Sequence, residues 1–277
     1  MEARPGAHND IVSLNPDHPG FNDTVYRARR NEIARIARDY TTGQPVPLAP
    51  YTPREHAVWS HVWSELLALY PTRVCEDILA LQDVVPLSTE RIPQLREINR
   101  PLEAASGFRM EPVAGLVSSR MFMRFLGRRV FLSTQYIRHH SRPLYTPEPD
   151  VIHELAGHVA TLAHPGIAAL NLALGQAAEI ATDAEMRRLG NVYWYALEFG
   201  VVEERGQLRA AGAGLLSSYG ELSDFDAHSR LLDWDLDAMG ETDYDPTGYQ
   251  EVLFVAPSFK QMLTDVTEWV ERRRWRR

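Results

Sequence analysis

Apolar residues recur along most of this chain at the three-to-four-residue spacing of helices that bury one face. Over residues 23–40, Val25, Ile33 and Ile36 stand among many arginines and alanines, the pattern of an amphipathic helix. Thr52-Pro53-Arg54-Glu55 is a capping box with proline at the first helical position, and it opens a helix that reaches about Leu69. Further helices are predicted at 73–83, 89–99, 148–162, 166–179, 183–197 and 258–273. Short apolar runs predict strands at Val130-Phe131-Leu132 and Val252-Leu253-Phe254-Val255, and Gly206 centres a turn over Glu203–Gln207 that reads as a small hairpin. Proline and glycine are scattered rather than gathered into a linker, and no internal repeat or low-complexity tract is present. The expected fold class is mainly α, a single domain over residues 1–277 with minor β structure.

Composition narrows this little: 44% hydrophobic and 24% charged residues are ordinary for a globular protein with a substantial core. No apolar run approaches the ~20 residues of a membrane helix, and MEARPGAHND has no secretory h-region. Those features, with a single cysteine, Cys75, point to the cytoplasm and to no disulfide framework. Cys75 reads as a packing residue. The net charge of −8 argues against nucleic acid as a partner. The tail ERRRWRR reads as a solvated basic helix end that complements the helix dipole.

Candidate chemistry changes the picture more. TPEPDVIHELAGH, residues 146–158, and YWYALEFG, residues 193–200, supply His153, His158 and Glu198. Two imidazoles and a carboxylate suit an open iron(II) site, and a Glu flanked by Leu197 and Phe199 needs a partner if buried. The histidines are five apart, not the four of HExxH zinc proteases, because Gly157 stands where the second ligand would be. On an ideal α-helix their rings diverge by about 140°, so they converge only if the helix loosens, as a π-bulge allows, and Gly157 eases such a departure. Spacing alone leaves a metal site and satisfied core histidines both open.

Other residues carry two readings each. Glu154 would be the general base of a zinc protease, or a solvated helix carboxylate. In PVAGLVSSRMF, residues 112–122, a strand or loop enters a helix capped by Ser118 or Ser119, and Phe122 is core or a stacking platform. Arg138 with Asp150 is a fork for a carboxylate or a surface ion pair. His56, His61, His139, His140 and His164 have no comparable setting. His139 and His140, being adjacent, are expected to point apart and to be poor joint ligands.

TQYIRHHSRPLYTPEPDVIHELAGH, YWYALEFG and GAGLLSSYGEL, in that order, resemble the consecutive signatures of the pterin-dependent aromatic amino acid hydroxylases, over about Pro112 to Phe259. The resemblance implies a helical basket with iron(II) on His153, His158 and Glu198. It implies a tetrahydropterin lined by Gly115, Leu116, Val117 and Ser119, stacked on Phe122 and approached through water by Glu154. Glu154 and Tyr193 are the implied catalytic side chains, and Tyr193 and Glu221 also support the centre. Arg138, oriented by Asp150, is the implied seat of an amino acid carboxylate, helped by Thr146 and Ser217. Pro149, Trp194, Phe199 and Gly214 are the implied ring pocket, and the bulk of Trp194 favours a single six-membered ring. One departure stands in the pterin region, where Leu132 replaces the histidine of animal relatives.

The expected activity is hydroxylation of L-phenylalanine to tyrosine by O2. Alternatives are meta-hydroxylation or another aromatic amino acid and, more remotely, a zinc hydrolase or a non-catalytic amino acid sensor. The expected organisation is a catalytic domain with a motif-bearing core at 108–259, residues 1–50 as an N-terminal extension and first helix, and no regulatory domain. A monomer or small homo-oligomer is expected.

Overall fold

The computed structural model describes residue 11, residues 13–272 and residue 275. The opening MEARPGAHND and four arginines of the basic tail lie outside the described residues.

The local signals produce their elements. Asp23 caps helix Thr24–Arg38 by accepting from the amides of Val25 and Tyr26. Thr52 and Glu55 close the capping box of helix Pro53–Arg73, with Glu55 Oε2 accepting from Thr52 N at 2.6 Å. The same Glu55 accepts from Arg29 Nε at 2.9 Å, tying the two helices together. Helix Pro53–Arg73 buries Val58, Trp59, Val62, Trp63, Leu66 and Tyr70, the three-to-four spacing of one helical face. That face is the spine of one continuous hydrophobic cluster that also takes in Cys75, Ile152, Leu155 and Phe254. Burial pushes the Cys75 thiol up to about 12, as suits a packing residue.

Strand β1 (Arg109–Pro112) pairs in parallel with β2 (Val130–Ser133), and helix Ser119–Leu126, capped by Ser118, lies in the crossover between them. The second sheet contains β3 (Val201–Glu204), β4 (Gln207–Ala210), β5 (Arg230–Asp233) and β6 (Val252–Ala256) in the order β4-β3-β6-β5. β3 and β4 form the predicted hairpin. Its two turn residues, Arg205 and Gly206, have φ of 54° and 73°, the left-handed pair that matches strand twist.

Several elements differ from expectation. In place of a helix at 73–83, Val74 leaves the helical path to bridge Ala210, Cys75 N donates to Ala210 O at 3.1 Å, and only Glu76–Leu79 re-forms a turn. The helix expected at 89–99 lies instead at Leu95–Ser106, where Gln94 and Glu97 build a capping box. Helices Ala213–Ser217, Tyr219–His228 and Leu236–Glu241 were not anticipated. No helix among the described residues is long and apolar enough to cross a membrane.

Two helices leave α geometry where the candidate chemistry sits. The helical run over residues 151–162 is a π-helix across His153–Val159, and helix Asp183–Tyr193 continues as a π-helix over Trp194–Glu198.

Candidate metal centre and the two cavities that open on it

A π-helix takes more residues per turn than an α-helix, so side chains five apart share a face. This brings His153 Nε2 and His158 Nε2 to 2.9 Å. The second π-segment delivers Glu198, whose Oε1 lies 3.1 Å from His158 Nε2 and whose Oε2 lies 3.7 Å from His153 Nε2. Gly157 serves a purpose other than the one expected. Its φ is not positive, so conformational freedom is not what it supplies. A Cβ there would stand 2.4 Å from Ala213 O, so glycine is what lets helix Ala213–Ser217 lie against the π-helix. A histidine at 157, as a zinc-protease motif demands, has no space.

That close approach has a chemical effect. Ser217 Oγ donates within its own helix to Ala213 O or Gly214 O, at 3.0 and 3.1 Å, and sits 2.8 Å from His153 Nδ1. With its proton so committed, Ser217 accepts from Nδ1–H and leaves the Nε2 lone pair of His153 facing the centre. Burial, then the neighbouring His158, pushes His153 down to about 4, so the ring is neutral. Burial lowers His158 too, but the Glu198 carboxylate prevails and holds that ring above its ordinary value. Burial would raise Glu198, yet His158, His153 and the Tyr193 hydroxyl keep it below the usual carboxylate range. A neutral imidazole, a second imidazole and an ionised carboxylate, converging in a buried space, fit a divalent cation better than they satisfy one another.

Glu154 is buried rather than solvated. Its Oε1 accepts from Thr134 N at 3.0 Å and Thr134 Oγ1 at 2.8 Å, and burial raises its pKa to about 7. Thr134 had no signal in the sequence; it follows β2 and fixes Glu154 toward the second cavity described below.

Two cavities meet at the centre. One, of about 790 Å³, is lined by Arg138, Thr146, Pro149, Phe199, Gly214 and Ser217 together with His153, Trp194 and Glu198. The other, of about 850 Å³, is lined by Gly115, Leu116, Val117, Ser119, Phe122 and Glu154, with Leu132 and Tyr193, and again by His153, Trp194 and Glu198. The residues expected around an amino acid line the first cavity and those expected around a heterocycle line the second, with Pro149 and Trp194 on both. Asp150 is the exception. It lies behind the first cavity and accepts from Arg138 N, Nε and Nη2 at 2.7, 2.9 and 2.8 Å, a two-pronged grip on a buried guanidinium. Arg138 holds Asp150 below the carboxylate range against the effect of burial. The surface-pair reading of Arg138 and Asp150 fails on that burial.

Trp194 is fixed by residues that gave no sequence signal. Tyr244 stacks on it at 4.0 Å and 7°, and Gln250 Oε1 accepts its indole N–H at 2.8 Å. Phe122 meets Tyr193 edge-on at 5.6 Å and Phe131 at 5.3 Å, with one side on the second cavity. Tyr145 and Tyr249, at the mouth of the first cavity, were also missed. Among the remaining histidines, His56 accepts from Ile92 N and His164 caps helix Pro165–Ile180, both structural duties.

Two histidines and a carboxylate on one face, with two cavities opening on them, are a donor set that suits a mononuclear centre of the oxygenase type. Comparison with known proteins specifies it further. A family model described as biopterin-dependent aromatic amino acid hydroxylase matches residues 8–275. The chain is 42% identical over 262 residues to tyrosine 3-monooxygenase of Schistosoma mansoni, covering 93% of this chain and 56% of that protein. It is 43% identical over 260 residues to phenylalanine-4-hydroxylase of Rattus norvegicus, covering 91% and 57%. Among solved structures, phenylalanine hydroxylase of Chromobacterium violaceum with bound iron(III) and 7,8-dihydrobiopterin superposes with a TM-score of 0.77 at 29% identity, over 87% of this chain and 90% of that one. The chain belongs to the biopterin-dependent aromatic amino acid hydroxylases. It spans about half the length of the curated relatives it matches.

Proposed function

We propose that this chain is an aromatic amino acid monooxygenase that uses iron(II), a tetrahydropterin and O2 to hydroxylate the ring of L-phenylalanine, giving tyrosine. The observation that carries the proposal is that both cavities share His153, Trp194 and Glu198, so two bound molecules could each reach one centre. His153, His158 and Glu198 would hold the iron. Iron and pterin together supply the activation of O2 and the electrons for it.

The chain's own residues bind, orient and exclude water. Arg138, immobilised by Asp150, presents its remaining N–H groups to the substrate carboxylate, with Thr146 and Ser217 on the same wall. Pro149, Trp194 and Phe199 enclose the ring, and the absence of a side chain at Gly214 admits Phe199, whose Cζ would lie 2.7 Å from a Cβ there. On the other side Gly115, Leu116, Val117 and Ser119 border the pterin, Phe122 stacks on it and Glu154 faces it. Tyr193, hydrogen-bonded to Glu198, steadies that carboxylate.

Replacing Arg138 by lysine keeps a cation beside Asp150 but loses the planar fork. Arg138→Lys is expected to weaken phenylalanine binding by about 2 kcal/mol, the value of a charge-assisted hydrogen bond. Calorimetry on the iron-loaded protein reads this directly, and unchanged affinity would move the substrate elsewhere.

Tyrosine is the competing substrate, since tyrosine 3-monooxygenases match this chain as well as phenylalanine hydroxylases do. The ring walls favour phenylalanine. Pro149 and Phe199 offer no hydrogen bond, and the Trp194 indole N–H is already donated to Gln250. A site that pairs no group with a ring hydroxyl gains nothing from one. Competition among phenylalanine, tyrosine and tryptophan with tetrahydrobiopterin and iron(II), with products resolved by chromatography, decides the substrate. The same separation tells para- from meta-tyrosine.

Trp194 sets the upper limit on ring size, because Tyr244 and Gln250 prevent it from swinging away. Trp194→Phe is expected to narrow the preference for phenylalanine over tryptophan in kcat/KM by about tenfold or more, the range of a cavity change of this kind. An unchanged ratio would show that other walls select the ring.

A further inference from the structure

Besides the centre, one other group of side chains among the described residues gathers metal-ligating atoms. Asp23, His139 and His140 each bring one such atom within 4.8 Å of the other two. The adjacent histidines were expected to point apart. Residues 134–139 follow neither a strand nor a helix, and the two rings lie with centroids 4.3 Å apart and planes 37° from each other.

The cluster is prepared for a cation in two respects, the held Asp23 carboxylate and the open side at His140. Asp23 Oδ1 is held at 2.9 Å by each of the Val25 and Tyr26 amides, which leaves Oδ2 free to face His139 Nε2 at 3.2 Å. The Tyr26 amide bond, with His139 next, keeps Asp23 below its ordinary pKa, so it is anionic at neutral pH. His139 Nδ1 accepts from Ser141 N at 3.3 Å, with Ser141 Oγ 2.7 Å away, so Nε2 carries the proton toward Asp23 and a cation binding there displaces it. His140, exposed, borders an open cavity of about 930 Å³ that has room for water ligands. Zinc bonds of ~2.0–2.1 Å in tetrahedral array set neighbouring donors roughly 3.3 Å apart, close to the Asp23–His139 spacing. Arg54 and the ion-paired Arg29 line the same cavity, while Glu55 supplies a compensating carboxylate.

We propose that Asp23, His139 and His140 form a second metal site, for a borderline divalent cation such as Zn(II), with water completing the coordination. A cation there joins the N-terminus of helix Thr24–Arg38 to the segment carrying Arg138, one residue before His139. It would act as a removable cross-link between the helical scaffold and the wall of the first cavity.

The test is calorimetric titration of Zn(II) into the iron-loaded chain at neutral pH, with iron content followed in the same samples. The expected result is one additional zinc equivalent at micromolar affinity without loss of iron, and a zinc-dependent rise in Tm. His140→Ala and Asp23→Asn (asparagine still caps the helix) should each weaken that equivalent at least tenfold. His140→Ala should keep its iron and its activity without zinc. Absence of the extra equivalent from the wild type, its persistence in His140→Ala, or zinc uptake matched by iron release in both proteins would overturn the assignment.

Discussion

Glu198→Ala is expected to bring turnover to the uncatalysed background, and His153→Ala to do the same, while the fold survives. The three side chains converge from two π-helical segments. Removing Glu198 takes away the carboxylate that lies against both His158 and His153, so the two buried imidazoles lose their shared anionic partner. Removing His153 strands Ser217 and halves the nitrogen set. Neither change touches the hydrophobic cluster that carries the fold, so circular dichroism and Tm should remain near those of the wild type. Iron content by elemental analysis should fall together with activity. Full activity in a zinc-loaded, iron-free protein would refute the oxygenase proposal outright, because zinc has no redox chemistry.

Gly157→Ala is expected to be severe for a different reason. Its Cβ would meet three atoms of Ala213 within 3.2 Å, and the nearest, at 2.4 Å, is a backbone oxygen that cannot rotate away. Helix Ala213–Ser217 must move or the π-helix must. Overpacking of this kind costs roughly 1–3 kcal/mol, and contact with backbone places it at the upper end. In a domain of this size about 3 kcal/mol corresponds to roughly 6–12 °C in Tm. Activity should fall further than stability, because the displaced helix carries Ser217 and with it the orientation of His153. A variant whose Tm stays within about 1 °C of wild type would show that the two helices do not need their present approach.

The contrast between these two sites shows what a sequence can disclose. His153, His158 and Glu198 are visible as residue types at a telling spacing, and even the need for a π-distortion follows from counting residues per turn. The role of Gly157 is not visible, because the atom that excludes a side chain belongs to Ala213, far along the chain. Local chemistry announced the Thr52 capping box, the Gly206 hairpin and strands β2 and β6. Residues 73–83 misled because their helical periodicity is real, but Val74 gains a strand partner in Ala210 that no nearby residue predicts. Likewise Tyr244 and Gln250, which lock Trp194, carry no motif of their own. Elements of five or six residues, such as Ala213–Ser217 and Leu236–Glu241, are shorter than the window in which periodicity can be recognised.

The π-helix also bears on how such a site can change over evolutionary time. Loss of the single codon for Ala156 would shorten HELAGH to HELGH, which has the spacing of a zinc protease on an ordinary α-helix. Oxygenase and hydrolase ligand patterns thus stand one three-nucleotide deletion apart in this gene. The deletion would nonetheless turn every later residue of the helix by about 100° relative to its neighbours, swinging Gly157 away from Ala213 and burying a new face. Drift at this locus should therefore proceed by exchange of residues and be closed to changes of length. A library of single-residue insertions and deletions across residues 151–162, selected for activity, should return none between His153 and His158.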